Sequence, residues 1–245
     1  MILARITTAI REQNWFAVAL EFVIVIAGVV IGFQVTTWNA ERNNQDRVER
    51  AIERLQLETE QNVAALRQRI AGNTARANEQ AIMVAVTGGG DLEPADTDAF
   101  ERAIAQLMYF SQVPVQRSTY LALEQSGDLA LITDPDLIIT LNLYQTRLDW
   151  VESQHSGFRN GLSSFSDDIN QFVFHEPTTD PTRTRVRVDF DRLAGNPRLS
   201  SALVQMARMH AIFAGYTVTL EAQTLAFCHR LSEETGRPCN VEATP

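Results

Sequence analysis

Residues 15–38 read WFAVALEFVIVIAGVVIGFQVTTW, an apolar run with a tryptophan at each end. An α-helix rises about 1.5 Å per residue, so a run of this length spans the hydrocarbon core of a bilayer. Tryptophan side chains favour the two lipid–water interfaces. We therefore expect a short interfacial N-terminal segment at 1–14, a transmembrane helix at 15–38 and an extramembrane domain at 39–245.

A cleaved signal peptide is the alternative interpretation of the N-terminus. Arg5 and Arg11 would supply its charged region, but the apolar stretch is too long and no small-x-small cleavage site follows it. A retained anchor is therefore favoured. The segment before it places Ile2, Ile6 and Ile10 on one helical face, which is typical of a helix lying in the interface.

The charge balance is acidic, with 30 acidic and 21 basic side chains and a net charge of −9. Every basic residue is arginine, and no basic cluster is present. Binding to a nucleic-acid backbone needs such a cluster, so no nucleic-acid partner is expected. The expected partners are the lipid bilayer and, through the transmembrane helix, a second copy of this chain or another membrane protein.

The orientation of the anchor follows from two opposing signals. The C-terminal flank carries more positive charge than the N-terminal one, which favours a cytoplasmic domain, but long domains translocate largely regardless of flanking charge. The C-terminal flank contains four arginines: Arg42, Arg47, Arg50 and Arg54.

The only two cysteines, Cys228 and Cys239, favour the opposite side of the membrane. Two closely spaced cysteines near the C-terminal end are typical of a disulfide in an oxidising compartment. Free thiols and a metal site that includes His229 are the alternatives, although zinc sites usually need four ligands. The sequence thus predicts a single-pass membrane protein with a cytoplasmic N-terminus and a periplasmic main domain.

Helical periodicity continues beyond the anchor. An apolar stripe on one face ends before Gly88-Gly89-Gly90 and consists of Val48, Ile52, Leu55, Thr59, Val63, Leu66 and Ile70. Short helices are expected at 98–110, from a capping box, and at 118–126, with Gly127 in the stop position.

Two further long helices begin at an N-cap followed by proline, Asp134-Pro135 and Asn196-Pro197. Heptad spacing follows each start. The residues at 176–196 interrupt helicity and suit one strand or an extended loop. The prediction is an all-α fold, in which the transmembrane helix continues into an antiparallel helical bundle with one or two short accessory helices.

Four polar or small residues in the span are candidates for helix association: Glu21, Gly28, Gly32 and Gln34. An ionisable group in a span is costly to bury alone, and two glycines one turn apart permit close backbone approach. One interpretation is that Glu21 and Gln34 hydrogen-bond to a second helix. The other is that Glu21 is protonated or reaches the headgroup region.

Polar residues also occupy bundle seam positions, namely His155, His210, Thr217 and Thr224. If the last two long helices turn back level, the two histidines are offset by roughly 10 Å, too far for a shared metal. We expect histidines hydrogen-bonded in the core, or a polar edge that lines a pocket. No catalytic signature is present, so the prediction is a protein that is not an enzyme, with no cofactor and no metal.

Two segments resemble a domain-of-unknown-function family of uncharacterised bacterial single-span inner-membrane proteins. Segment 21–43 has the family's acidic residue, apolar run, Gln and Trp-Asn, and segment 118–145 has its Ser-Gly-x-Leu-x-Leu-Ile pattern. The absence of lysine near the anchor departs from the family. The matching residues are Glu21, Gly28, Gln34, Trp38, Asn39, Glu41 and Arg42, then Ser126, Gly127, Leu129, Leu131 and Ile132. The resemblance implies an inner-membrane location and no known activity.

These features together favour a membrane-anchored helical-bundle interaction or scaffold protein that associates through its transmembrane helix. The alternative is an extracytoplasmic ligand-sensing domain that signals through a partner membrane protein.

Overall fold

The structure, a computed structural model, describes residues 15–107, 109–110, 112–176, 185–194 and 196–241. The expected interfacial segment 1–14 lies outside these residues. Contacts divide the chain into two compact units, Met1–Arg50 and Ala51–Pro245. The expected boundary at 38/39 falls inside one helix, α1 (Trp15–Thr87), which contributes residues to both units.

The first unit contains the apolar part of α1. Within Val18–Thr87 the most apolar window has a mean hydropathy of 2.4 and no buried residue. Its large side chains are exposed all around the helix, among them Phe22, Ile24 and Phe33. A helical segment that is apolar on every side, with its most apolar window unburied among the described residues, has the length and composition needed to cross a membrane.

The second unit is built from three long helical segments with short elements between them. After the remainder of α1 come a 3₁₀ turn (Pro94–Asp96), α2 (Thr97–Leu107), α3 (Ser118–Ser126), a second 3₁₀ turn (Asp128–Leu131), α4 (Pro135–Asn170), β1 (Val173–Glu176), β2 (Arg185–Val188), α5 (Phe190–Ala194) and α6 (Pro197–Thr235).

Local chemistry sets the helix ends where the sequence predicts them. The Asp134 carboxylate accepts from the N–H groups of Asp136 and Leu137 at the start of α4. The Asn196 side chain accepts from Leu199 N at the start of α6. Gly127 and Gly236, at φ 78° and 67°, end α3 and α6 in the left-handed conformation that glycine adopts without a steric penalty.

Helices α4 and α6 pack antiparallel along their seams. Tyr144 stacks on Phe227 at 4.8 Å between ring centroids, and Phe158 meets Phe213 at 6.0 Å. Further along, Asp168 pairs with Arg198 at 3.2 Å. The residue numbers rise on one helix as they fall on the other, which confirms the antiparallel bundle within an all-α fold.

The α6 seam is buried along its full length. Both the apolar and the polar residues of the seam face the core. They are Leu199, Leu203, Met206, His210, Phe213, Thr217, Leu220, Thr224, Phe227 and Leu231. Removing an apolar side chain of this size from water contributes about 1.5–3 kcal/mol, so this helix is a main source of the domain's stability.

The segment 176–196, predicted as one strand or a loop, contains strand β2 and the short helix α5, whereas β2's antiparallel partner β1 begins earlier, at Val173. Val173 pairs with Val188, and His175 pairs with Val186. Val173 and Val186 are buried against the core, whereas the alternate residue Phe174 is half exposed, as the two-residue period of a strand requires. Residues 177–184, with Pro177 and Pro181, lie outside the described part of the chain.

Candidate functional site

Three of the candidate residues in the span share one face of α1. At 100° per residue, Glu21, Gly28 and Gly32 lie within about 40° of one another. A Cβ atom added at either glycine would meet no atom within 4 Å, so the backbone is accessible from this side. We call Glu21, Gly28 and Gly32 the association face.

Gln34 lies on another side of the same helix. It follows Glu21 by 13 residues, which corresponds to a rotation of about 140° around the helix axis. One partner helix lying against the association face would therefore not contact Gln34. The two polar groups of the span do not form a single site.

The two seam histidines hydrogen-bond to the backbone at and just after the C-terminal end of α2. His155 Nε2 is 3.2 Å from the Phe110 carbonyl oxygen, and His210 Nε2 is 2.9 Å from that of Leu107. The Phe110 ring lies against both imidazoles, with centroid distances of 5.2 Å to His155 and 4.8 Å to His210. Both imidazoles therefore contact the ring of a third residue, Phe110, which the expected offset along the two helices did not include.

This arrangement fixes the hydrogen-bonding roles of the histidines. A carbonyl oxygen only accepts, so Nε2 donates in both rings. The carbonyls lie at and just after the C-terminal end of α2, where backbone oxygens lack helical partners. Burial lowers the pKa of His210, and the nearby arginines Arg76 and Arg69 lower it further, while the Leu107 hydrogen bond opposes them. Among the described residues, no group of three potential metal ligands forms.

The two threonines of the seam have no free hydroxyl proton to donate to a ligand. Thr217 Oγ1 donates to the Phe213 carbonyl at 3.0 Å, and Thr224 Oγ1 donates to the Leu220 carbonyl at 2.7 Å. Both side chains are fully buried. A threonine hydroxyl can satisfy itself on its own helix in this way, which is why it is tolerated in a core.

A cavity of about 160 Å³ lies beside His155 in the second unit. The connecting segment 112–117, which is neither helix nor strand, forms one wall, and α4 forms the facing wall. The lining residues are Gln112, Val113, Val115, Arg117, Leu148, Val151, Glu152, His155 and Leu220. Neither threonine nor His210 contributes to it, so His155 alone of the four predicted pocket residues reaches this cavity.

Arg117 is the basic residue of the cavity wall, and its charge is already paired. Its Nη1 lies 2.6 Å from an Asp149 oxygen and 3.8 Å from a Glu152 oxygen. Its Nε donates to Gln145 Oε1 at 3.0 Å. The guanidinium is thus held against α4 by two carboxylates, one of which lines the cavity.

Two polar residues of α1 hold the segment that carries Arg117. Asn62 Nδ2 donates to the Gln116 carbonyl at 2.9 Å, and Gln116 N donates to Asn62 Oδ1 at 2.8 Å. The Glu58 carboxylate accepts from Thr119 N at 2.9 Å, from Thr119 Oγ1 at 3.0 Å and from the Ser118 hydroxyl. We call Glu58 and Asn62 the α1 clasp, because together they fix where α3 begins.

In the structure, Cys228 and Cys239 form a disulfide with a Cα–Cα distance of 5.8 Å. The bond joins α6 to residues 236–241, here called the tail. The tail also contacts α1: Gln56 Nε2 donates to the Arg237 carbonyl at 2.8 Å, and Asn240 N donates to Glu60 Oε1 at 3.0 Å. The tail therefore connects the last helix of the bundle to the first.

Sequence reasoning did not identify Phe110, the α1 clasp or Arg117. Phe110 was assigned to the end of a short helix, and Glu58 and Asn62 lie next to the apolar stripe that was recognised. The contacts that define their roles join residues far apart in sequence. A polar pair spaced one turn apart beside the stripe is the only signal available, and it fits an exposed helix face equally well.

No family model matches the chain, and no similar protein was found among the curated proteins or the solved structures.

Proposed function

We propose that this chain is a single-span protein of a bacterial inner membrane, anchored by residues 15–38, whose helical domain is an interaction or scaffold module. Self-association through the span brings two domains together. The resemblance of segments 21–43 and 118–145 to a family of such proteins supports this location. We place the domain in the periplasm, a compartment in which a disulfide such as Cys228–Cys239 persists.

The observation that carries this proposal is the association face. Gly28 and Gly32 leave the backbone accessible, and Glu21 lies on the same side of the helix. In lipid, close backbone packing and interhelical hydrogen bonds drive helix association. A second copy would bring two Glu21 side chains close together, and a shared proton or hydrogen bond would offset the cost of an ionisable group in the span.

Replacing both glycines tests this proposal. Gly28→Ile with Gly32→Ile fills the face, and we expect it to convert the chain to monomer in chemical crosslinking of native membranes. The matched control, Val23→Ile with Val30→Ile, adds bulk on the opposite face and should leave the crosslinked fraction unchanged. An unchanged crosslinked fraction in the glycine variant would overturn the proposal.

A second proposed function, ligand sensing by the same domain, is favoured by the cavity beside His155. It lies between the 112–117 segment, which the α1 clasp positions, and helix α4. A ligand that changed the position of this segment would change its hydrogen bonds to the α1 clasp. Helix α1 also contains the span, so the change would reach the membrane-spanning helix.

A further inference from the structure

Two side chains of α1 donate to backbone carbonyls of the tail. Gln56 Nε2 lies 2.8 Å from the Arg237 carbonyl oxygen, and Arg67 Nη1 lies 2.9 Å from that of Val241. The disulfide residue Cys239 lies between these two carbonyls in the sequence. The tail therefore contacts α1 both before and after its covalent bond to α6.

The disulfide is the main constraint that keeps the tail on α1. The hydrogen bond from Arg67 is exposed, and so is the one from Asn240 N to Glu60. Exposed hydrogen bonds contribute little to stability, because water takes their place when they open. The tail contains no helix or strand, and fixing the backbone of each of its residues costs conformational entropy. Without the covalent bond, that entropy favours a detached tail.

The two sulfur atoms of the disulfide differ in their accessibility to a thiol. Cys228 is fully buried in α6. Cys239 is half-buried and lies between Pro238 and Asn240, which are both exposed. Thiol–disulfide exchange begins when a thiolate attacks one sulfur of the disulfide, and the rate depends on access to that sulfur. A thiol in solution therefore reaches Cys239 more readily than Cys228.

We propose that the Cys228–Cys239 bond is a redox-controlled tether, and that its reduction by a dithiol releases the tail from α1. A thiolate of the dithiol attacks Cys239 Sγ, the S–S bond breaks, and Cys228 leaves as a thiolate that takes up a proton. The second thiolate of the dithiol then attacks the mixed disulfide and frees Cys239. The protein gains two electrons and two protons, and the dithiol becomes a disulfide.

Release of the tail uncovers polar groups of α1. Gln56 is fully buried; its Oε1 accepts from Thr235 in α6, whereas its Nε2 donates to the tail. After reduction Gln56 Nε2 loses its acceptor and Glu60 loses the N–H of Asn240. None of the tail residues, 236–241, belongs to the buried core, so the bundle stays folded when the tail detaches. This release does not depend on association through the span.

Hydrogen exchange of the full-length chain in nanodiscs, measured by mass spectrometry before and after addition of dithiothreitol, tests the proposal. We expect the amides of residues 236–241 to exchange at least about tenfold faster after reduction, because the detached tail has no protected amide. The helical circular dichroism signal should not change. Resistance of the bond to dithiothreitol in the folded chain, unchanged exchange in the tail, or loss of helical signal would each overturn the proposal.

Two variants separate the tether from the hydrogen bonds. Cys228→Ser with Cys239→Ser should exchange like the reduced chain and should not respond to dithiothreitol. Arg67→Gln keeps the disulfide but removes the contact with the Val241 carbonyl, and should change exchange in the tail by less than about threefold. A larger change in Arg67→Gln would mean that hydrogen bonds hold the tail, and would contradict the tether.

Trapping of the mixed disulfide identifies the attacked sulfur. The oxidised chain is partly reduced with glutathione, quenched in acid and digested for mass mapping. We expect glutathione on Cys239 and a free thiol on Cys228. Glutathione found mainly on Cys228 would overturn the assigned order of attack.

Discussion

The α1 clasp leads to a specific stability prediction for Glu58→Ala. Glu58 is 8% exposed, and its carboxylate accepts three hydrogen bonds from Ser118 and Thr119 at the start of α3. The residue at the N-cap position of that helix, Arg117, makes no capping bond with its own side chain. Glu58 therefore supplies from a distant helix the cap that α3 lacks locally.

The magnitude follows from these three bonds. Loss of a helix cap costs about 1 kcal/mol. Loss of two hydroxyl bonds to a charged acceptor adds about 2 kcal/mol, since the hydroxyls are partly accessible and regain some hydration. The sum of about 3 kcal/mol corresponds to a fall in Tm of about 9 °C for a domain of this size. Glu58→Gln, which keeps an acceptor, should lose only about 1 kcal/mol.

The assay is thermal unfolding of the full-length chain in detergent, followed by circular dichroism. Glu53→Ala is the matched control, because Glu53 is an exposed carboxylate on the same helix and its removal should change stability by no more than about 0.5 kcal/mol. If Glu58→Ala melts within about 1 °C of Glu53→Ala, the trans-capping argument is wrong.

Three further predictions concern the histidines, the disulfide and the location. Because burial lowers the pKa of His210 below its ordinary value of 6.5, the unfolded chain binds more protons, and stability should fall as pH drops through 6.5. His210→Gln, which keeps a donor for Leu107, should lessen this fall in unfolding measured between pH 7.5 and 5.5, and an identical pH profile would contradict the assignment. Replacing Cys228 and Cys239 together by serine should cost about 3 kcal/mol in the loop-entropy model and speed hydrogen exchange in the tail, so unchanged exchange would contradict the tail's role. Protease added to spheroplasts should remove a C-terminal tag, and non-reducing gels should show a mobility shift on reduction; protection without a shift would place the domain in the cytoplasm.

The helical architecture was predictable because its signals are local. Asp134-Pro135, Asn196-Pro197 and Gly127 each determine a helix end within a few residues of their own position. The buried face of α6 was equally predictable, because the helical spacing of its seam residues repeats without interruption. These signals depend only on neighbours in the chain, which a sequence displays directly.

The site was less predictable because it depends on contacts between distant elements. The estimated offset of His155 and His210 was based on the two helices alone and omitted Phe110, whose ring contacts both imidazoles. The threonines were expected either to line a pocket or to be polar residues of the core, and they are buried core residues whose hydroxyls donate within α6. Glu152 and Arg117 lie on different elements, so no spacing rule relates them.

Oxidative crosslinking of introduced cysteines in native membranes tests most directly whether two copies associate through one face of the span. Val25→Cys and Val35→Cys lie within about 40° of the centre of the association face, whereas Val23→Cys and Val30→Cys lie on the opposite side of the helix. We expect disulfide-linked dimers from positions 25 and 35 and none from 23 and 30. Equal crosslinking at all four positions, a reversed pattern, or no dimer at any of them would contradict association through this face.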